Sequence, residues 1–160
     1  MRAGTWRPLS AGERALAAAV FGAGLDAGRL RLLALPAWPR AFVPNGRLIC
    51  WPAGSAFADF TEAPLDVQAV LVHELTNVWQ AQNGVNLLLA KLKAGDGPAA
   101  YAYDLADGRA FEALNIEQQA SLIEHAWLAA RGGRAPHARS DYADILKAWP
   151  WAGKERPFQV

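Results

Sequence analysis

Between residues 64 and 82 the chain carries continuous helix-compatible sequence with only two charged side chains, Asp66 and Glu74. A helix that apolar runs through an interior, with other elements packed around it. Pro64 suits a first helical turn, and Asn83-Gly84 suits a C-terminal cap. Burial makes demands of its own, because His73, Glu74 and Asn77 sit mid-helix and polar side chains there need partners. A chain of 160 residues, 52% of them hydrophobic, can build one domain with a real core around such a helix.

The other segments read as a small N-terminal sheet and a helical remainder. Ser10-Ala-Gly-Glu13 is a capping-box pattern that opens a helix through Val20, closed by Gly22. Residues 29–35 form a short Leu-rich strand stopped by Pro36. Residues 41–51 read as a hairpin, with Pro44-Asn45-Gly46 as turn chemistry between two apolar runs. Residues 87–92 are expected as a short helix, and Tyr101-Ala-Tyr103 as a short strand before a turn at 104–107. A second strong helix is expected over 115–131, ended by Gly132-Gly133, and Ser140-Asp141 caps a last helix reaching Trp149. No repeat or long linker divides the chain, so a single α+β domain over 1–160 with a small antiparallel sheet is expected.

His73, Glu74 and Asn77 have nearly the spacing of a metal site. Two histidines four apart on a helix point the same way and grip one ion, with a Glu between them polarising a bound water. Here Asn77 stands at the second ligand position. At about 100° per residue, His73 and Asn77 lie within roughly 40° of each other on one face. Hydrolytic zinc needs three protein ligands and an open position. Glu117, early in the second helix, is the candidate for the third. Each residue also has an ordinary reading: a buried His with a satisfied partner, and an acid near a helix start facing the dipole.

The run His-Glu-Leu-Thr-Asn-Val-Trp-Gln at 73–80 resembles the His-Glu-Leu/Met-Thr-His-Val-Trp-Gln of small bacterial proteins labelled Vgr-related. These are zincin-like, and similar to peptidase-like domains found beside contractile secretion systems. The match extends to Tyr101-Ala-Tyr103, Phe111-Glu112 and Asn115-Ile-Glu-Gln-Gln-Ala120. It also takes in Arg7-Pro-Leu-Ser10 with Glu13, and Val20-Phe-Gly22, and so covers nearly the whole chain. The resemblance implies a zincin-like domain of the glutamate type, with an active-site helix and a packed glutamate helix. His73 and Glu117 would be zinc ligands, Glu74 the general base, and Tyr103 or Tyr101 the donor to a tetrahedral oxyanion. Asn77 departs from the pattern, since a neutral amide oxygen is a weaker zinc ligand than imidazole nitrogen. So does Ser121, where such zincins often hold a carboxylate that supports a ligating His; that loss costs about 10- to 100-fold in affinity or activity. Asp104, Glu112, Glu124 and His125 are the residues that could substitute as ligands.

The rest of the composition sets bounds. A net charge of +1 gives no reason to expect nucleic acid or an anionic membrane. Apolar stretches are broken well short of the about 20 residues a membrane span requires. Cys50, the single cysteine, excludes an internal disulfide and a Cys-rich zinc site, and reads as core. Residues 1–6 lack an apolar h-region, so no signal peptide is expected; the expected location is the cytoplasm, or export by a secretion system without one. Residues 47–51 read as a sheet edge open to an extended peptide. Arg131, Arg134, His137 and Arg139 read as a solvated basic loop.

Three functional readings follow. The first is a zinc metallopeptidase hydrolysing peptide bonds through a metal-bound water, its activity reduced or lost because Asn77 replaces a His. The second is a non-catalytic zincin-fold protein that binds a peptide or protein partner within a contractile, type VI-like secretion system. In the third, His73, Glu74 and Glu117 form a hydrogen-bonded structural cluster.

Overall fold

In the computed structural model, residues 1–95 and 97–145 are described. The capping box at Ser10 forms: Ser10 Oγ accepts from the Glu13 N–H at 3.0 Å, and Glu13 Oε2 accepts from the Ser10 N–H at 2.7 Å. It starts α1 (Ala11–Phe21), which ends at Gly22 with φ 55°. Glu13 does more than cap. It is fully buried, takes both Arg7 guanidinium nitrogens at 2.7 and 2.6 Å, and accepts from the Phe60 N–H at 2.9 Å. One carboxylate thereby joins β1 (Trp6–Pro8), α1 and the segment leading into the central helix.

The sheet holds β1, β2 (Arg31–Leu35), β3 (Phe42–Asn45) and β4 (Leu48–Pro52) in the order β1-β2-β4-β3. The hairpin forms, with Asn45 Oδ1 accepting from the Arg47 N–H at 2.9 Å. The sheet, however, is mixed rather than antiparallel: β1 and β3 run antiparallel to their neighbours, while β2 and β4 are parallel. Pro44 explains the order. It has no N–H to give to a ladder, so β3 takes an edge and the apolar β4 fills the slot beside β2. The expectation that residues 47–51 offer an open edge is corrected for the same reason, since β4 is paired on both sides.

Helix α2 (Leu65–Gln82) passes between this sheet and α5 (Ile116–Ala130). Residues 71–78 are all buried, as the near absence of charge requires. Leu71, Leu75 and Val78 join Leu32 and Ile49 of the sheet and Leu122, Ile123 and Trp127 of α5 in one core. After Asn83 and Gly84 come α3 (Leu87–Ala94), α4 (Pro98–Tyr101) and finally α6 (Arg139–Ile145). The expected strand at Tyr101–Tyr103 is a correction: Pro98 presets a helical turn at its first position, and the Ala102 carbonyl is taken by Gln118 Nε2 at 2.6 Å. The expected end of the last helix at Trp149 lies outside the described residues. No described helix is long and apolar enough to cross a membrane.

Glu13→Ala leaves the Arg7 guanidinium without its carboxylate and the Ser10 and Phe60 N–H groups without their acceptor. Its expected cost is about 3–5 kcal/mol, the range for breaking a buried ion pair from one side. Urea unfolding measures it, and a loss below about 1 kcal/mol, the scale of a surface pair, would refute this role.

Candidate functional site

Asn115 builds the site from one end. Its side-chain Oδ1 accepts from the Glu117 and Gln118 N–H groups at 2.9 Å each, and Gln118 Oε1 accepts from the Asn115 N–H at 3.1 Å. This second capping box sets the first turn of α5, so that Glu117 faces α2 one helix away. His73 meets it from the middle of α2. Its Nε2 lies 3.0 Å from Glu117 Oε2 and its Nδ1 lies 3.0 Å from Glu124 Oε2. The other Glu117 oxygen, Oε1, is 3.1 Å from the Lys91 ammonium on α3.

Both ring nitrogens of His73 face carboxylate oxygens, an arrangement that favours the protonated ring. Burial alone lowers its pKa, but the hydrogen bonds to Glu117 and Glu124 outweigh that and raise it to about 10. Burial likewise pushes Glu117 up, yet His73 and Lys91 hold its carboxyl below the ordinary range. His73 and Lys91 sit among three carboxylates, Glu117 and Glu124 in direct contact and Glu74 close enough to interact electrostatically. Glu74 is different. Burial raises its pKa, an effect that His73 and Lys91 only partly oppose.

Glu74 Oε2 and both amide atoms of Asn77 are buried with no hydrogen-bond partner among the described residues. The Asn77 amide is nonetheless close enough to favour the ionised form of Glu74. The donor set therefore has one imidazole nitrogen facing a carboxylate, one carboxylate shared with an ammonium, and one neutral amide. Zinc binds through deprotonated ligands, and with Asn77 in place of the second imidazole His73 and Glu117 are the two conventional ligands of the set, one fewer than a catalytic zinc centre uses. Among the described residues, no three His, Cys, Asp or Glu side chains are placed to hold a metal ion.

The two tyrosines named from the sequence part company. Tyr101 lies over the His73 ring, with centroids 6.0 Å apart. Tyr103 has its hydroxyl 2.6 Å from His125 Nδ1 and 3.0 Å from the Tyr142 hydroxyl. His125 is thus a partner of Tyr103, and burial lowers its pKa. Of the other substitutes considered, Asp104 caps its own turn through the Ala106 N–H, and Glu112 is exposed. Glu124 is the one that reaches His73. It supplies at Nδ1 the carboxylate support missing at Ser121, and its position seven residues after Glu117, on the same face, made that legible. Lys91 was not among the sequence candidates, and no motif marks it. Cys50 is buried in β4, where burial and the Glu74 carboxylate raise its pKa.

Glu117, Lys91 and Tyr101 open onto a cleft of about 380 Å³, whose walls include Trp38, Phe42 and Leu88. Trp38, Leu88 and Leu92 around it are 49%, 71% and 73% exposed, an apolar rim beside a polar floor. A larger cavity of about 880 Å³, between Asp26, Arg47 and Gln82 at the far end of α2, includes none of these groups.

No protein-family model matches the chain. It is 34% identical over 156 residues to the type VI secretion system spike protein VgrG2b of Pseudomonas aeruginosa. That alignment takes in 90% of this chain, which spans only 15% of the spike protein's length. A solved structure, the effector domain of Pseudomonas aeruginosa VgrG2b, matches with a TM-score of 0.71 and 31% identity, covering 92% of this chain and 85% of that one.

The raised pKa of His73 sets a pH dependence. A group held at about 10 against an ordinary 6.5 stabilises the fold fully below pH 6.5, and that contribution is lost as pH rises through 10. Wild-type urea midpoints should fall across this window more than those of His73→Gln. Parallel curves for the two proteins would mean that His73 is neutral in the fold.

Proposed function

Because the chain belongs to the family of the VgrG2b effector domain, we propose that it works in association with a type VI secretion system, and that its central cleft holds a protein segment without cutting it. The observation that carries the second part is the closure of the site on itself. His73 turns one ring nitrogen to Glu117 and the other to Glu124, and Lys91 takes the remaining oxygen of Glu117. This network at the positions of the zincin-type ligands supports the binding reading, and so does the exposed apolar rim of the neighbouring cleft, which suits a partner's side chains.

The competing reading is a zinc metallopeptidase with Glu74 as general base. In its favour are the unpartnered Glu74 Oε2 and Asn77 amide, buried atoms of the kind that an ion or water satisfies. The His73–Glu117 spacing also bears on it, since two ligands of one tetrahedral zinc stand about 3.3 Å apart. The observed 3.0 Å is that of a hydrogen bond, but it lies close to the ligand spacing.

Metal analysis of untagged protein is expected to give well below one zinc per chain, with no proteolysis that Glu74→Gln abolishes. Stoichiometric zinc together with Glu74-dependent cleavage of a protein substrate would install the peptidase in place of the binding reading. For the association itself, the chain should reach the culture medium only from cells with a working contractile sheath. Equal release from sheath-deficient cells would defeat it.

A further inference from the structure

We propose that Lys91 is the residue that keeps a metal ion out of this site, acting as a built-in cation in the place of an external one. The inference deepens the non-catalytic reading above and rests on it. Glu117 has two carboxylate oxygens and both are spoken for, Oε2 by His73 Nε2 at 3.0 Å and Oε1 by Lys91 Nζ at 3.1 Å. The carboxyl is 3% exposed, whereas the Lys91 side chain is 32% exposed. Lys91 therefore enters from the cleft, and its ammonium reaches a carboxylate that solvent scarcely touches.

Asn77 alone weakens a metal site without blocking it. An amide is a poor ligand, but it leaves Glu117 free to bind an ion. An ammonium on Glu117 acts differently, because a metal bound to Oε2 would stand within a few ångströms of a fixed positive charge. Removing the Lys91 ammonium would leave Glu117 Oε1 without its ion-pair partner and open to another cation.

Lys91 is well placed for this on α3. Leu87 is the buried residue of that helix, while Leu88, Leu89 and Leu92 face solvent. The neighbouring side chains of the helix thus offer the ammonium no second carboxylate. A structural role, fastening α3 to α5 by an ion pair, would use the same 3.1 Å contact, so the decisive readout has to be metal affinity rather than stability.

The experiment is a competition titration of zinc against a chromophoric chelator, using the full chain. It compares wild type with Asn77→His, Asn77→His/Lys91→Met and Asn77→His/Lys91→Arg. Removing the charge should tighten zinc binding by about tenfold or more over Asn77→His alone, the effect a neighbouring charge has on proton affinity. Lys91→Arg, which keeps the charge, should give no such gain. Indistinguishable affinities for the Met and Arg variants would overturn the proposal. Circular dichroism checks folding. If the Met variant unfolds, Lys91→Gln, which retains a donor to Glu117 without the charge, enters the same comparison with Arg. Tight stoichiometric zinc in wild type would overturn both this proposal and the non-catalytic reading, whereas indistinguishable Met and Arg variants beside a zinc-free wild type would overturn this proposal alone.

Discussion

His73 has a carboxylate at each ring nitrogen, Glu124 at Nδ1 and Glu117 at Nε2, both 3.0 Å away, and the helices that bring them together have little freedom in how they meet. Glu117 and Glu124 are seven residues apart, two turns of α5, and both must face the same imidazole on α2. Sliding one helix past the other by a turn would leave a buried carboxylate or a buried imidazolium without its partner, a strongly unfavourable state. The apolar contacts of Leu71, Leu75, Leu122 and Ile123 supply the adhesion between these helices. The polar cluster supplies the register.

Closure of the charges extends outward from that contact. Lys91 ties α3 to the same carboxylate, and α3 in turn forms one wall of the cleft with Trp38 and Phe42 on the sheet side. Placing β3 at the sheet edge, as Pro44 demands, puts Phe42 on that wall. At the other pole of the domain, Glu13 performs a parallel task with Arg7, the Ser10 N–H and the Phe60 N–H. Two buried carboxylate centres thus pin the central helix assembly, one at the entry to α2 and one at its middle.

Much of the local structure was readable because its causes are local. Ser10 with Glu13, and Asn115 with Gln118, are capping boxes within four residues of sequence, and both form. The hairpin followed from Pro44-Asn45-Gly46, and the buried helix from the scarcity of charge in α2. The sheet's mixed pairing was missed because strand order depends on which strand can tolerate an unpaired edge. The turn at Pro98 was missed because the aromatic alternation of Tyr101 and Tyr103 was weighed above a proline in first helical position.

Within the site, the sequence nominated His73, Glu74, Asn77 and Glu117, and the structure brings His73 and Glu117 together as a hydrogen-bonded ion pair. It gives Glu124 to the imidazole as support, and it binds Tyr103 to His125 and Tyr142 instead of leaving its hydroxyl free over His73. Lys91 had no signal at all, since nothing in Leu-Ala-Lys-Leu-Lys says which distant acid an ammonium will meet. By itself the sequence determined the longer helices, the two capping boxes, the kinship of the chain and the residue types available to a site, because these depend on neighbours along the chain. Only the tertiary structure decided which charge neutralises which. Ion pairing depends on separation in space, and residues 26 to 51 positions apart come within 3.1 Å only when the helices have packed.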